Sequence, residues 1–142
     1  MNNTMMFYPM AALVLLTAII AGVMLNRRIG AARQGQVRLS AFRVNRFDES
    51  TPLSMLQAGR NYANLLELPV LFYAVCISTM ALALTDSVLV ALAWLYVALR
   101  VVHSIIHVGA NDVRMRLVAF ALSALVLMIM WGWLVWRALA TT

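Results

Sequence analysis

The sequence predicts an all-α membrane protein, a bundle of four transmembrane helices. Three observations carry that prediction. The 142 residues are 64% hydrophobic and only 11% charged, whereas a soluble domain is usually about half apolar and a quarter charged. The apolar residues gather into four runs, at about residues 5–25, 61–84, 87–108 and 117–136. Each is near the ~20 residues needed to cross a hydrocarbon core about 30 Å thick. The basic residues are partitioned as well: all eleven are arginine, and nine of them follow the first and third runs.

That partition orients the chain. Excess arginine marks cytoplasmic connections, so residues 26–60 and 109–116 are expected in the cytoplasm and both termini outside, in a bacterial inner membrane. Residues 1–142 read as one domain whose 26–59 segment is a cytoplasmic loop. The net charge of +6 fits anionic headgroups; with no aromatic-rich soluble module to read bases, nucleic acid is not expected as a partner. Cys76 is the sole cysteine, so it has no intrachain partner, and in hydrocarbon it is expected to be unreactive. The first run lacks a basic leader and is long enough to span, so it reads as a helix rather than a signal peptide.

Run one ends in Asn26-Arg27-Arg28. The two arginines are expected to snorkel to headgroups; Asn26, an amide at the inner membrane edge, is a candidate to point into the bundle. The following connection interleaves arginines with Val37, Leu39, Phe42, Val44 and Phe47. It reads either as a segment lying on the membrane surface or as a lid over a site opening on that side. Thr51-Pro52 predicts a helix start, with Thr51 as cap and Pro52 as first helical residue.

Helix two then carries Arg60, Asn64 and Glu67. Their i, i+4, i+7 spacing puts a cation, an amide and a carboxylate on one stripe. Seven residues at about 1.5 Å each set Glu67 roughly 10 Å deeper than Arg60, and an acid at that depth needs a partner. Pro69 is expected to kink the helix just beyond it. Run three holds Arg100, His103 and His107, again one stripe, with Arg100 at the depth of Glu67; an ion pair between the two is the expected lock between helices. Run four is uncharged, with Arg116 before it and Trp131, Trp133 and Trp136 in the aromatic belt at its far end.

Antiparallel threading therefore brings Asn26, Arg60, Asn64, Glu67, Arg100, His103, His107 and Arg116 into the cytoplasmic half. A basic, hydrogen-bonding pocket above an apolar floor suits an amphiphile, or a small anionic cofactor beside a lipophilic one. His103 and His107 lack the further ligands that zinc needs, so no metal is expected. A small exporter would rely on Glu67 as its membrane acid, but pairing with Arg100 opposes that use.

The order Arg60-x-x-x-Asn64-x-x-Glu67-x-Pro69, followed by Arg100-x-x-His103-x-x-x-His107 and Arg116, resembles the MAPEG family (membrane-associated proteins in eicosanoid and glutathione metabolism), in a divergent, bacterial-type form. The resemblance implies a homotrimer of four-helix protomers that binds glutathione between subunits near the cytoplasmic side. It implies that Arg60, Asn64 and Glu67 hold or frame glutathione, that Arg100 and His103 line the site, and that Arg116 stabilises the thiolate, with Arg114 an alternative two positions away. The implied activity is a glutathione-dependent transferase or peroxidase-like reaction on lipophilic electrophiles. Where well-studied members carry tyrosine, a second arginine and in some cases serine, this chain has His107, Ala63 and Leu117. Those departures keep a second reading open: a non-catalytic protein of the same fold that binds lipid or a small molecule.

Overall fold

A computed structural model describes residues 2–38, 41, 47 and 51–141. A short 3-10 turn, Asn3–Met6, leads into α1 (Phe7–Arg33). Then come α2 (Leu53–Glu67), α3 (Pro69–Ala81), α4 (Ser87–Val108) and α5 (Val113–Ala140). Four stretches are long and apolar enough to cross a membrane: Asn3–Arg33, Leu53–Ala81, Ser87–Val108 and Val113–Ala140. The surface or lid reading of residues 39–50 falls largely outside the described residues.

The helices overrun the apolar runs that predict them. The 27 residues of α1 extend about 40 Å, so its last two turns stand clear of a ~30 Å core. The connection is correspondingly shorter than the expected 26–59. Those turns are held by a satellite cluster of Ala31, Val37 and Met55, which packs the end of α1 on the start of α2. Arg27 does not snorkel as expected: it donates to Ser54 O (2.7 Å) and Val108 O (2.9 Å), tying α1 to α2 and α4. The cap expected at Thr51 lies one residue later, because Pro52 is extended (ψ 125°) and α2 begins at Leu53.

α2 and α3 form one span interrupted at Leu68. Pro69 supplies no N–H and crowds the carbonyl of the preceding turn, yet Leu68 keeps helical angles (φ −59°, ψ −38°). The interruption therefore redirects the span rather than ending it. Asp86 and Asp112 cap α4 and α5, accepting from the amides of Leu89 (2.8 Å) and Met115 (2.9 Å). The main core is apolar and centred on Tyr96 stacked against Phe72 (centroids 4.5 Å apart), with Leu13, Leu65, Leu89 and Leu127 around them. At the end opposite the arginines, Asn3 donates to Met80 O and accepts from Thr85. There Asp86 also takes Trp133 Nε1 (3.0 Å) and Arg137, the one ion pair among the described residues.

Two helix ends show the same left-handed turn built from different residues. α1 closes through Gly35 (φ 68°), whereas α3 closes through Ala83 (φ 56°), with Leu84 N–H on Thr79 O and Ala83 N–H on Met80 O. Left-handed backbone costs an L-residue about 1–2 kcal/mol, partly offset by alanine's smaller unfolded-state entropy. Ala83 is exposed, so its methyl contributes little packing. Ala83→Gly is expected to stabilise the protein by about 0.5–1 kcal/mol, roughly 2–4 °C in thermal midpoint. A melting scan in detergent showing an unchanged or lower midpoint would contradict this.

Candidate functional site

Two helix faces decide the site. On α4, Tyr96, Arg100, His103, Ser104 and His107 are all buried, a stripe at i, i+4, i+7, i+8 and i+11 turned into the bundle. On α2 the buried residues are Met55, Ala58, Asn61 and Leu65. The inward amide of α2 is therefore Asn61, and the Arg60/Asn64/Glu67 stripe lies beside that face, turned outward. Arg60 and Glu67 are exposed and Asn64 is half-buried.

The expected Glu67–Arg100 pair does not form. Arg100 is 0% exposed and donates from Nη2 to the Asn64 carbonyl (2.8 Å), with its guanidinium carbon 5.9 Å from the Phe120 ring centroid. Its Nε and Nη1 have no hydrogen bond. Helical spacing predicts the two charges at one depth, but α4 turns Arg100 into the bundle while α2 turns Glu67 outward. Beside Arg100, Ser104 donates to Asn61 Oδ1 (3.3 Å), and the His103 and His107 rings meet edge to face at 5.6 Å. Asn61 Nδ2, His103 Nε2 and His107 Nδ1 are buried with no hydrogen bond among the described residues.

A cavity of about 270 Å³ opens where α2, α4 and α5 diverge at the arginine-rich end, lined by Asn64, His103, Val113, Arg116, Leu117 and Phe120. Its polar groups come from three helices and its rim from apolar residues of α5. Arg116 is half-buried; His103 Nδ1 donates to its carbonyl oxygen (3.2 Å), and its own Nη1 donates to Asn111 Oδ1 (2.6 Å). Arg114 is exposed and lines no part of this cavity.

Arg60 lines a different hollow, of about 410 Å³, on the α1 side of α2 with Arg28, Met55, Leu56 and Ala63. Arg28 is thus half-buried over Gly59 rather than free among headgroups. Of the residues expected at one site, the protomer gathers Asn64, His103 and Arg116. It sets Arg100 and His107 behind them, Arg60 around the corner, and Glu67 on the outer surface. Asn26, a candidate to point inward, is exposed on α1 and lines neither hollow. Sequence reasoning missed Asn61, Ser104, Phe120 and Asn111. The 3-3-4 spacing of Met55, Ala58, Asn61 and Leu65 was a signal for the first.

Set against known families, residues 6–136 match the model of the MAPEG family. No curated protein and no solved structure matches the chain.

Proposed function

Because the chain belongs to the MAPEG family, matched over residues 6–136, we propose that this multi-pass membrane protein is a glutathione-dependent transferase, with peroxidase-like capacity, for lipophilic electrophiles. One observation carries the reading: Arg116 lies half-buried beside Asn64 and His103 in a cavity whose other walls are Val113, Leu117 and Phe120. A cation and two hydrogen-bonding groups thus share one hollow with an apolar rim.

The residues fit glutathione, an anion rich in acceptors. Among the described residues, neither hollow has a carboxylate in its lining, while Arg28, Arg60 and Arg116 supply guanidinium groups. With His103 Nδ1 donating to Arg116 O, its Nε2 is an acceptor with no hydrogen bond among the described residues, suited to an N–H or S–H of the tripeptide rather than to its carboxylates. Glu67 is the acid available on the same helix for an ammonium group. When bound, glutathione supplies a nucleophilic sulfur. Arg116 holds positive charge at the cavity wall, where an anion is favoured; Asn64 and His103 orient polar groups; Leu117 and Phe120 exclude water and admit an apolar partner. An exposed Glu67 on a membrane span is costly against acyl chains. Burial against a neighbouring protomer would remove that cost, which favours a homotrimer whose site is completed between subunits. The arginine-rich end is read as cytoplasmic, in a bacterial inner membrane, with both termini outside.

The test is thermal melting of detergent-purified protein with glutathione, paired with conjugation of a chlorinated nitrobenzene. Ligand at 100 times Kd is expected to stabilise the fold by about 2.7 kcal/mol, with conjugation above the uncatalysed rate. Stabilisation without conjugation would favour the non-catalytic reading, which the His107 and Ala63 departures motivate. Neither effect would reject glutathione altogether.

A further inference from the structure

The geometry points to Asn111 as the residue that positions the Arg116 guanidinium for anion stabilisation, an assignment that rests on the reading of Arg116 above. Asn111 lies in the turn between α4 and α5, outside the cavity lining, and its Oδ1 accepts from Arg116 Nη1 at 2.6 Å. The hold on Arg116 is therefore applied from the turn side, and its other nitrogens bond to no described residue. The residue is fixed elsewhere too: its N–H bonds to Asp112 O (3.0 Å) and its carbonyl accepts from His103. A long side chain anchored at its backbone and at one guanidinium nitrogen keeps few rotamers.

The turn is built to present that amide. Asn111 has φ 53°, with its N–H on Ile106 O at 2.7 Å. Asparagine and glycine visit this left-handed conformation readily and most other residues do not. Just before it, a Cβ on Gly109 would sit 2.9 Å from Ile105 O, so the chain can turn here only with glycine. The chemistry of the anchor matters as much as its place. Asp112, the next residue, uses its carboxylate to cap α5 at Met115 N–H. An acid on Arg116 would pair with it and cancel its charge; an amide accepts the hydrogen bond and leaves the charge intact. Among the described residues, the charged groups that act on the neighbouring His103 and His107 of α4 are Arg100, Arg116 and Arg60, and Arg114 lies two positions from Arg116; none of these is an acid. The orienting group is thus neutral where a carboxylate was one residue away.

Two variants separate this role from a structural one. Asn111→Gly keeps the left-handed backbone and deletes the anchor; Asn111→Asp keeps the anchor and adds a charge. The readout is ultraviolet difference absorbance of the glutathione thiolate at pH 7 on adding glutathione to the full-length protein. S-methylglutathione, which cannot ionise, reports tripeptide binding, and thermal midpoint reports folding. Thiolate signal is expected to fall about threefold in Asn111→Gly and about eightfold in Asn111→Asp, changes of about 1 and 1.5 units in the thiol's pKa. S-methylglutathione affinity and midpoint are expected to hold. Wild-type signal in both variants would overturn the assignment, as would parallel loss of midpoint and S-methylglutathione binding. If Arg116→Ala also kept the wild-type signal, or wild type had none, the reading of Arg116 would fail first and the assignment with it.

Discussion

Arg116→Ala is expected to lower glutathione conjugation about 25-fold at pH 7 and less than about twofold at pH 9. A free thiol ionises near pH 8.5, and the thiolate is the attacking form. If the bound thiol ionises two units lower, thiolate occupancy at pH 7 is about three-quarters, against about one-thirtieth without the shift. Two units require about 2.7 kcal/mol. A unit charge at 4 Å and an effective dielectric of 20 supplies about 4 kcal/mol, so one half-buried guanidinium suffices. The sign is fixed by charge: a cation favours the anion, so its removal raises the thiol's pKa and the loss vanishes once solution pH ionises the thiol unaided. Arg116→Lys keeps charge but loses the fork that Asn111 engages, and should fall between. Arg114→Ala is the control, because Arg114 is exposed and outside the cavity. A 25-fold loss that persisted undiminished at pH 9 would mean Arg116 does something other than ionise a thiol.

The spans were legible because hydrocarbon thickness dictates run length, and all four apolar runs became helices that can cross a membrane. The helix ends were not. Hydropathy reports where lipid stops, whereas α1 continues to Arg33 because Arg27–Arg33 has no proline, its single Gly30 is tolerated inside a helix, and Met55 packs against Ala31. The α4 stripe was legible for the same reason as any buried face: Arg100, His103 and His107 recur at helical spacing, and all three are buried. The α2 stripe was misassigned, although its spacing is just as regular. The cost of a charge in lipid says that Glu67 must be covered, but not whether its own bundle or a neighbour does the covering. A single chain's sequence has no signal separating those cases. Asn111 was harder still, since its role depends on a left-handed turn that brings a residue five positions away onto Arg116.

Arg100→Met is expected to stabilise the ligand-free protein by about 1–3 kcal/mol while reducing the stabilisation that glutathione confers. Arg100 is fully buried, and no acid among the described residues pairs with it. Desolvating a guanidinium costs several kcal/mol. The bond to Asn64 O returns about 1.5–3 kcal/mol, and the face of Phe120 adds at most about 2, with Nε and Nη1 still unsatisfied. Methionine has comparable reach, fills irregular space and carries no charge, so the protomer should gain by the exchange. What the ion supplies instead is positive potential directly behind Asn64, His103 and Phe120, three of the cavity's six lining residues. Thermal melts of both proteins, with and without glutathione, separate the two contributions. If Arg100→Met instead cost about 3–5 kcal/mol without ligand, the guanidinium would have to be one half of a buried pair.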